Sequence, residues 1–317
     1  MSNKTKIGIL AAISIILIFT FLFVGLGSNW DYVLPRRGKK VLAIVITGGV
    51  IAFSTMIFQT ITNNRILTPS IIGLDSLYLL IQTFLIFVLG SLNVTVVNHN
   101  INFLISVALM VLFASLLYQL LFKNEGGQNI YFLLLVGIIF GTFFNSISSF
   151  MEVLIDPNEF MLVQDRMFAS FNNVNTELLV IAIVLIILSG LYFFRFVKYL
   201  DVLSLGREQA INLGVDYDYV VKRLLIIVAI LISIATALVG PITFLGLLVA
   251  NVAHEFMKTY QHKYLIISSV LISIIALVGG QLIVERVFTF STTLSVIINF
   301  VGGVYFIYLL LKESKKW

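Results

Sequence analysis

The residues that could perform chemistry in this 317-residue chain are few and far apart. His99 lies far from His254 and His262 in the sequence, and there is no cysteine. The missing thiols rule out disulfides, thiolate metal sites and a cysteine nucleophile. No H-E-x-x-H pair sets two imidazoles on one helix face, as a zinc hydrolase requires, and no G-x-x-x-x-G-K-[ST] loop is present to cradle a nucleotide phosphate. The three histidines sit near the ends of apolar blocks and read as interfacial side chains with satisfied hydrogen bonds. The carboxylates Asp75, Glu177, Glu255 and Glu285 also fall at or near block ends. An ion-coupled carrier holds its ion with ionisable groups at the bilayer midplane, and none is expected there; Asp75 reads as a solvated helix-end carboxylate. A membrane-embedded enzyme would need paired catalytic groups inside the apolar blocks, and none is evident. The chemistry on offer is recognition and movement, with no cofactor and no metal expected in this chain.

The elements that must position these groups are set by composition. Apolar residues make up 60% of the chain and charged residues 11%, against about 25% charged in a soluble domain. The apolar residues come in blocks, not stripes. Ile7 to Leu26 is one such block, close to the roughly 20 residues that cross a bilayer core as a helix. It exceeds the h-region of a secretory signal, and no small-x-small cleavage pattern follows it. Ten blocks of this kind lie near 7–27, 41–61, 72–92, 101–122, 129–149, 177–197, 220–239, 242–257, 264–284 and 293–311. The eighth is short, follows Gly240-Pro241, and is expected as a tilted or broken helix. The fold class is therefore all-α, a polytopic integral membrane protein in a single domain spanning residues 1–317.

Ten spans place both termini on one side, and charge selects the side. With cytosolic termini the inner group holds Lys4, Lys6, Arg65, Lys123, Arg195, Lys198, Arg207, Lys222, Arg223, Lys258, Lys263, Lys312, Lys315 and Lys316, and the outer group holds Arg36, Arg37, Lys39, Lys40, Arg166 and Arg286. The excess of inner cations gives a cytoplasmic-membrane protein with both termini in the cytosol. The net charge of +5 thus reflects topology and gives no reason to expect a nucleic-acid partner. Two polar segments are long enough to act on something: an outer one over about 149–175, rich in carboxylates, and a cytosolic one over about 198–223.

Four stretches carry a resemblance. Leu34-Pro35-Arg36 enters a span. Gln59 to Gly73 aligns without gaps on Q-x-x-x-x-N-P-L-A-x-P-x-x-L-G. Leu205 to Val215 follows L-G-x-x-x-A-x-x-L-G-V, and Gly240 to Leu247 follows G-P-I-G-F-[IV]-G-L. In this order and spacing they resemble the permease subunits of iron-siderophore and cobalamin ABC importers, the FecCD-type family, from about residue 30 to the C-terminus. The chain departs from the family pattern at Val33, at Arg65 in place of a proline, at Ala250-Asn251 in place of Pro-His, and at His254 in place of an arginine.

The resemblance implies a type II ABC importer permease architecture and a set of partners: cytosolic ATP-binding subunits, an extracellular substrate-binding protein, a second permease subunit, identical or related, and the lipid bilayer. It implies roles as well. Arg36 and Arg286 match arginines that dock acidic groups of the binding protein, with Arg37, Lys39 and Lys40 widening the field. Asn64 and Ile66 match positions that narrow the cytosolic end of the pathway. The coupling segment near 198–219 presents Leu205, Gly206, Arg207, Ala210, Leu213 and Gly214 to the ATPase, Gly206 and Gly214 bracketing a helix-length piece. The expected cargo is a ferric siderophore. Haem or cobalamin is the alternative within the family, and a stand-alone secondary transporter the alternative outside it.

Overall fold

Backbone amides in hydrocarbon have no water to bond, so each apolar block must close its hydrogen bonds internally as a helix. The computed structural model describes residues 1–25, 29–121, 130–172, 174–290 and 292–314. Lys123, Lys315 and Lys316, along with the ends of the blocks at 26–27 and 122–129, lie outside the described residues. The helices in chain order are α1 (Asn3–Phe23), α2 (Trp30–Thr62), α3 (Leu74–Leu89), α4 (Val94–Val97), α5 (His99–Leu121), α6 (Ile130–Leu154), α7 (Pro157–Met167), α8 (Thr176–Phe193), α9 (Val197–Leu203), α10 (Arg207–Asn212), α11 (Tyr217–Val239), α12 (Leu245–Met257), α13 (His262–Arg286) and α14 (Leu294–Ser314). A 3-10 turn, Pro69–Ile72, leads into α3.

Eight of these helices, α1, α2, α5, α6, α8, α11, α13 and α14, are long and apolar enough to cross a membrane, and α3 and α12 are shorter apolar helices. All ten fall on the ten expected blocks. At 13 residues α12 is only ~20 Å long, which matches the short eighth block. The surprise is α2. Its 33 residues make a rod of ~50 Å against a hydrocarbon core of roughly 30 Å. Its first turns therefore stand clear of the core, and the basic cluster 36–40 lies on a rigid helix instead of a connector.

Two ends of the bundle are defined by side-chain contacts. At one end the Lys6 ammonium donates to the Phe256 and Met257 carbonyls, and Lys312 pairs with Glu255. Both chain termini therefore share this end with the exit of α12. At the other end α1, α13 and the start of α2 meet. Among the membrane-length helices, α2 and α11 are the most enclosed and α1 the least; α13 and α12 pack on α2 beside them.

Lipid is as apolar as leucine, so helices in a bilayer associate through close packing and not through hydrophobic exclusion. Small residues sit at the tight crossings. A Cβ on Gly137 of α6 would stand 2.8 Å from the Ile72 Cα and 2.9 Å from the Ile71 carbonyl, so the 3-10 turn lies backbone to backbone on α6. A Cβ on Gly246 of α12 would overlap the Thr55 side chain of α2. This re-entrant turn starts α3 within the bundle and corrects the expectation for Asp75. The carboxylate is not freely solvated: it is half-buried, its two oxygens accepting long hydrogen bonds from the hydroxyls of Thr236 (3.3 Å) and Thr243 (3.4 Å). Its place in the first turn of α3 suits the positive end of the helix dipole.

Candidate functional site: two faces and a turn

At the end opposite the termini, the cations divide by helix face. Arg37 donates to the carbonyls of Phe21, Leu22, Val24 and Gly25, closing the last turn of α1. Such carbonyls have no partner within their own helix. Arg286, at the end of α13, donates to the Val24 carbonyl as well while staying exposed. Lys40 forms a 2.6 Å pair with Glu285, with only 17% and 11% of the two side chains exposed. Arg37 and Lys40 thus hold the bundle together, and Lys40 is neutralised by Glu285 in place of widening an outer field as expected. Arg36 and Lys39 face out, Arg36 resting on Tyr32, whose hydroxyl accepts its hydrogen bond at 2.8 Å. Helical spacing separates the two pairs: 37 and 40 are three apart and share a face.

On the same side the outer segment folds into the amphipathic α7, capped by Asp156. It lies over the corner at Gly240, where the Ser170 N–H donates to the Val239 carbonyl at 2.8 Å. A cavity of about 400 Å³ beneath it is lined by Tyr78, His99, Arg166, Ser170 and Thr293 among others. No sequence pattern announces this cavity, because its walls come from five separate segments.

At the termini end, α2 stops at Asn63, which adopts the left-handed conformation (φ 47°). The turn that follows is self-bonded. The Asn64 carboxamide oxygen accepts from the Ile66 N–H at 2.9 Å, and the Gln59 amide donates to the Arg65 carbonyl at 2.6 Å. The Asn251 amide of α12 donates to that same carbonyl at 2.8 Å. Two of the departures from the family pattern, Arg65 and Asn251, therefore touch each other. Asn64 and Ile66 are both half-buried, on a turn fixed from two helices.

The polar segment after α8 folds as two short helices. Gly206, at φ 101° and ψ 167°, ends the turn after α9 and begins α10. Gly214, at φ 83°, closes α10: the Val215 N–H reaches back to the Ala210 carbonyl (3.0 Å) and the Gly214 N–H to the Ile211 carbonyl (2.9 Å). Those two bonds form a Schellman cap, which needs a left-handed residue at this position. Leu205 and Leu213 are 57% and 63% exposed. Ala210 is fully buried against its own chain, so it does not face outward with them as expected; it lets α10 sit close to the body. Arg207 lies 3.7 Å from Asp218. A Cβ on Gly206 would lie 4.0 Å from the Asn63 side chain, so the start of α10 abuts the turn that carries Asn64 and Ile66.

His262 has its hydrogen bonds satisfied, and the structure gives those bonds a direction. The ring is 6% exposed, with Nε2 2.7 Å from the Thr60 hydroxyl of α2 and Nδ1 2.6 Å from Asp201 of α9. The Asp201 carboxylate also accepts the His262 backbone N–H at 2.9 Å. Partial burial opposes ionisation of Asp201, but these bonds, the imidazole charge and nearby Lys263 hold its carboxyl below the usual carboxylate range. Beside the ring is a cavity of about 260 Å³, walled in part by Gln59, Asn63, Arg65, Ser204 and His254. Among the described residues, no group of three or more His, Cys, Asp or Glu side chains is placed to hold a metal ion.

Membrane-length helices, a tight turn at 63–66 beside a short helical foot, and Arg36 and Lys39 facing out at the opposite end are the frame of a multi-pass membrane protein. The chain belongs to the FecCD transport family, whose model matches residues 6–312. It is 69% identical over its whole length, and over the whole of that protein, to the petrobactin import system permease protein YclO of Bacillus subtilis. It is also 39% identical to the petrobactin import system permease protein FatC of Bacillus anthracis, over 89% of this chain and 79% of that one. The fold matches a solved chain described as a metal-chelate type ABC transporter in an inward-facing conformation. That match has a TM-score of 0.81 at 20% identity and covers 98% of this chain and all of the other.

Proposed function

We propose that this chain is the membrane-spanning permease subunit of an ATP-driven importer that brings a ferric siderophore across the cytoplasmic membrane, with both termini in the cytosol. The observation that carries the reading is its end-to-end 69% identity with a permease named for petrobactin import. The helical foot supports an ATPase in a separate chain, since exposed Leu205 and Leu213 flank α10, a helix too short to stand alone. In this reading Leu205, Gly206, Arg207, Leu213 and Gly214 make the contact, and Ala210 seats the foot on the permease. Asn64 and Ile66 narrow the inner end of the pathway. Arg36 and the still exposed Arg286 receive carboxylates of an extracellular binding protein, where complementary charge sets register and on-rate more than affinity. A second permease completes the pathway, and a single transmembrane domain performs the whole role of this chain.

The test is uptake in a host strain deleted for this gene under iron limitation. Labelled ferric petrobactin, other ferric siderophores, haem and cobalamin are compared side by side. Selective loss of ferric petrobactin uptake, restored by the plasmid-borne gene, is the expected result. Loss confined to haem or cobalamin would move the assignment to that ligand. Unchanged uptake in a strain lacking every related permease would overturn it.

A further inference from the structure

The helical foot and the inner turn must exchange force if nucleotide chemistry in another chain is to open this one, and only a few groups join them directly. The tightest connection runs through one imidazole. Asp201 lies on α9, whose Leu200 and Leu203 are buried in the body, and its neighbour Ser204 donates back to the Asp201 carbonyl at 2.7 Å, stiffening the exit toward Gly206 and α10. Thr60 lies three residues before Asn63, where α2 turns toward Asn64 and Ile66. His262 stands between them on the first residue of α13.

We propose that His262 is a positioning residue that transmits displacement of the α9–α10 foot to the end of α2, through the chain Asp201–His262–Thr60. The inference rests on the importer reading above. A carboxylate only accepts, so Nδ1–H must donate to Asp201. Nε2 then either accepts the Thr60 hydroxyl proton in the neutral ring or donates to that oxygen in the charged ring. In the charged case the Thr60 hydroxyl proton goes to the Met56 carbonyl, 2.8 Å away. The bridge is closed in both states. The ring nitrogens point in different directions on a rigid plane, so a shift of Asp201 is passed on instead of being absorbed by rotamers. Asp201 has a second duty as well. Gln261 gives α13 no side-chain cap, and Asp201 supplies the missing acceptor from another helix. A variant must therefore separate the cap from the bridge.

Two substitutions do so. Thr60→Val keeps shape and removes the far hydroxyl. His262→Asn keeps a donor near the Nδ1 position for Asp201 but cannot reach Thr60. Because the chain has no cysteine, two cysteines placed in it, at Leu67 and at the exposed Val153, carry a pair of spin labels with no background from this chain. The assembled complex of permeases and ATPases in lipid vesicles is read two ways: ATP hydrolysis, and the label-to-label distance change on ATP binding. Asp201→Asn, which keeps an acceptor oxygen, is the conservative control.

The expected result is a normal distance change in the parent and in Asp201→Asn, with hydrolysis retained but the change lost in Thr60→Val and His262→Asn. Transport per ATP then falls roughly tenfold, within the range usual for coupling between sites. A full distance change in both variants would overturn the bridge. So would loss of hydrolysis together with movement in Thr60→Val, because that pattern marks a merely structural contact. Neither readout needs cargo, so a parent complex that hydrolyses ATP and moves its label but imports no siderophore counts against the substrate and leaves the bridge standing.

Discussion

Replacing Gly206 by alanine tests the foot at its hinge, and the structure sets the size of the effect. At φ 101° and ψ 167° the residue occupies a region closed to L side chains, and forcing one there costs about 1–3 kcal/mol. The new Cβ meets the Gln209 Oε1 at 3.1 Å, the far end of a flexible side chain that can swing away, so backbone strain dominates. A value near 2 kcal/mol shifts the balance between seated and unseated α10 by roughly 30-fold. The six residues of α10 have no helical stability of their own to offset that, because short helices depend on their tertiary contacts. Gly214 provides the internal comparison. Its φ is 83° and nothing lies within 4 Å of a Cβ there, and an asparagine tolerates the left-handed cap that alanine does not. The expected order for ATP-driven uptake per ATP hydrolysed in reconstituted vesicles is parent, then Gly214→Asn close behind, then Gly214→Ala, with Gly206→Ala and Gly206→Asn equally poor. Equal damage from Gly214→Asn and Gly214→Ala, or unimpaired coupling in Gly206→Asn, would refute the backbone reasoning.

Three further outcomes are expected. Arg36→Glu should slow association with the extracellular binding protein in a salt-dependent way and leave the melting temperature of the detergent-solubilised permease unchanged, because Arg36 faces out; surface plasmon resonance at two ionic strengths reads the first and a thermal scan the second. Gly137→Val should abolish folded yield on size-exclusion chromatography, since its Cβ would press on the Ile72 backbone. Gly190→Val, with nothing within 4 Å, should purify normally. The Asp201 carboxyl is held below its ordinary range, so its stabilising contribution is complete above the unfolded value near about pH 4 and fades as pH falls through the lowered folded value. The difference in melting temperature between the parent and Asp201→Ala should therefore shrink as pH falls below about pH 4; a gap that widens there would refute that assignment.

The ten apolar blocks, the shortness of the eighth and the glycine-bounded foot are legible from the residues alone; α12 is short but continuous, not broken. Bilayer thickness fixes block length, backbone satisfaction fixes the helix, and a paired glycine spacing marks where a chain must turn. Four ordered motifs also carried the family. What they could not reveal was which side of a helix looks at what. Arg36, Arg37, Lys39 and Lys40 read as one cluster, and only the packing of α1 and α13 against α2 divides them into a solvated pair and a structural pair. Asp75 read as a solvated end because hydropathy cannot see a re-entrant 3-10 turn, whose course depends on Gly137 admitting its backbone. Ala210 read as an outward contact because a six-residue helix has no periodicity long enough to declare its face. His262, 202 residues from Thr60 and 61 from Asp201, gave no local signal at all. One-dimensional pattern reports solvent and period; partners across such separations exist only once the helices have chosen their neighbours.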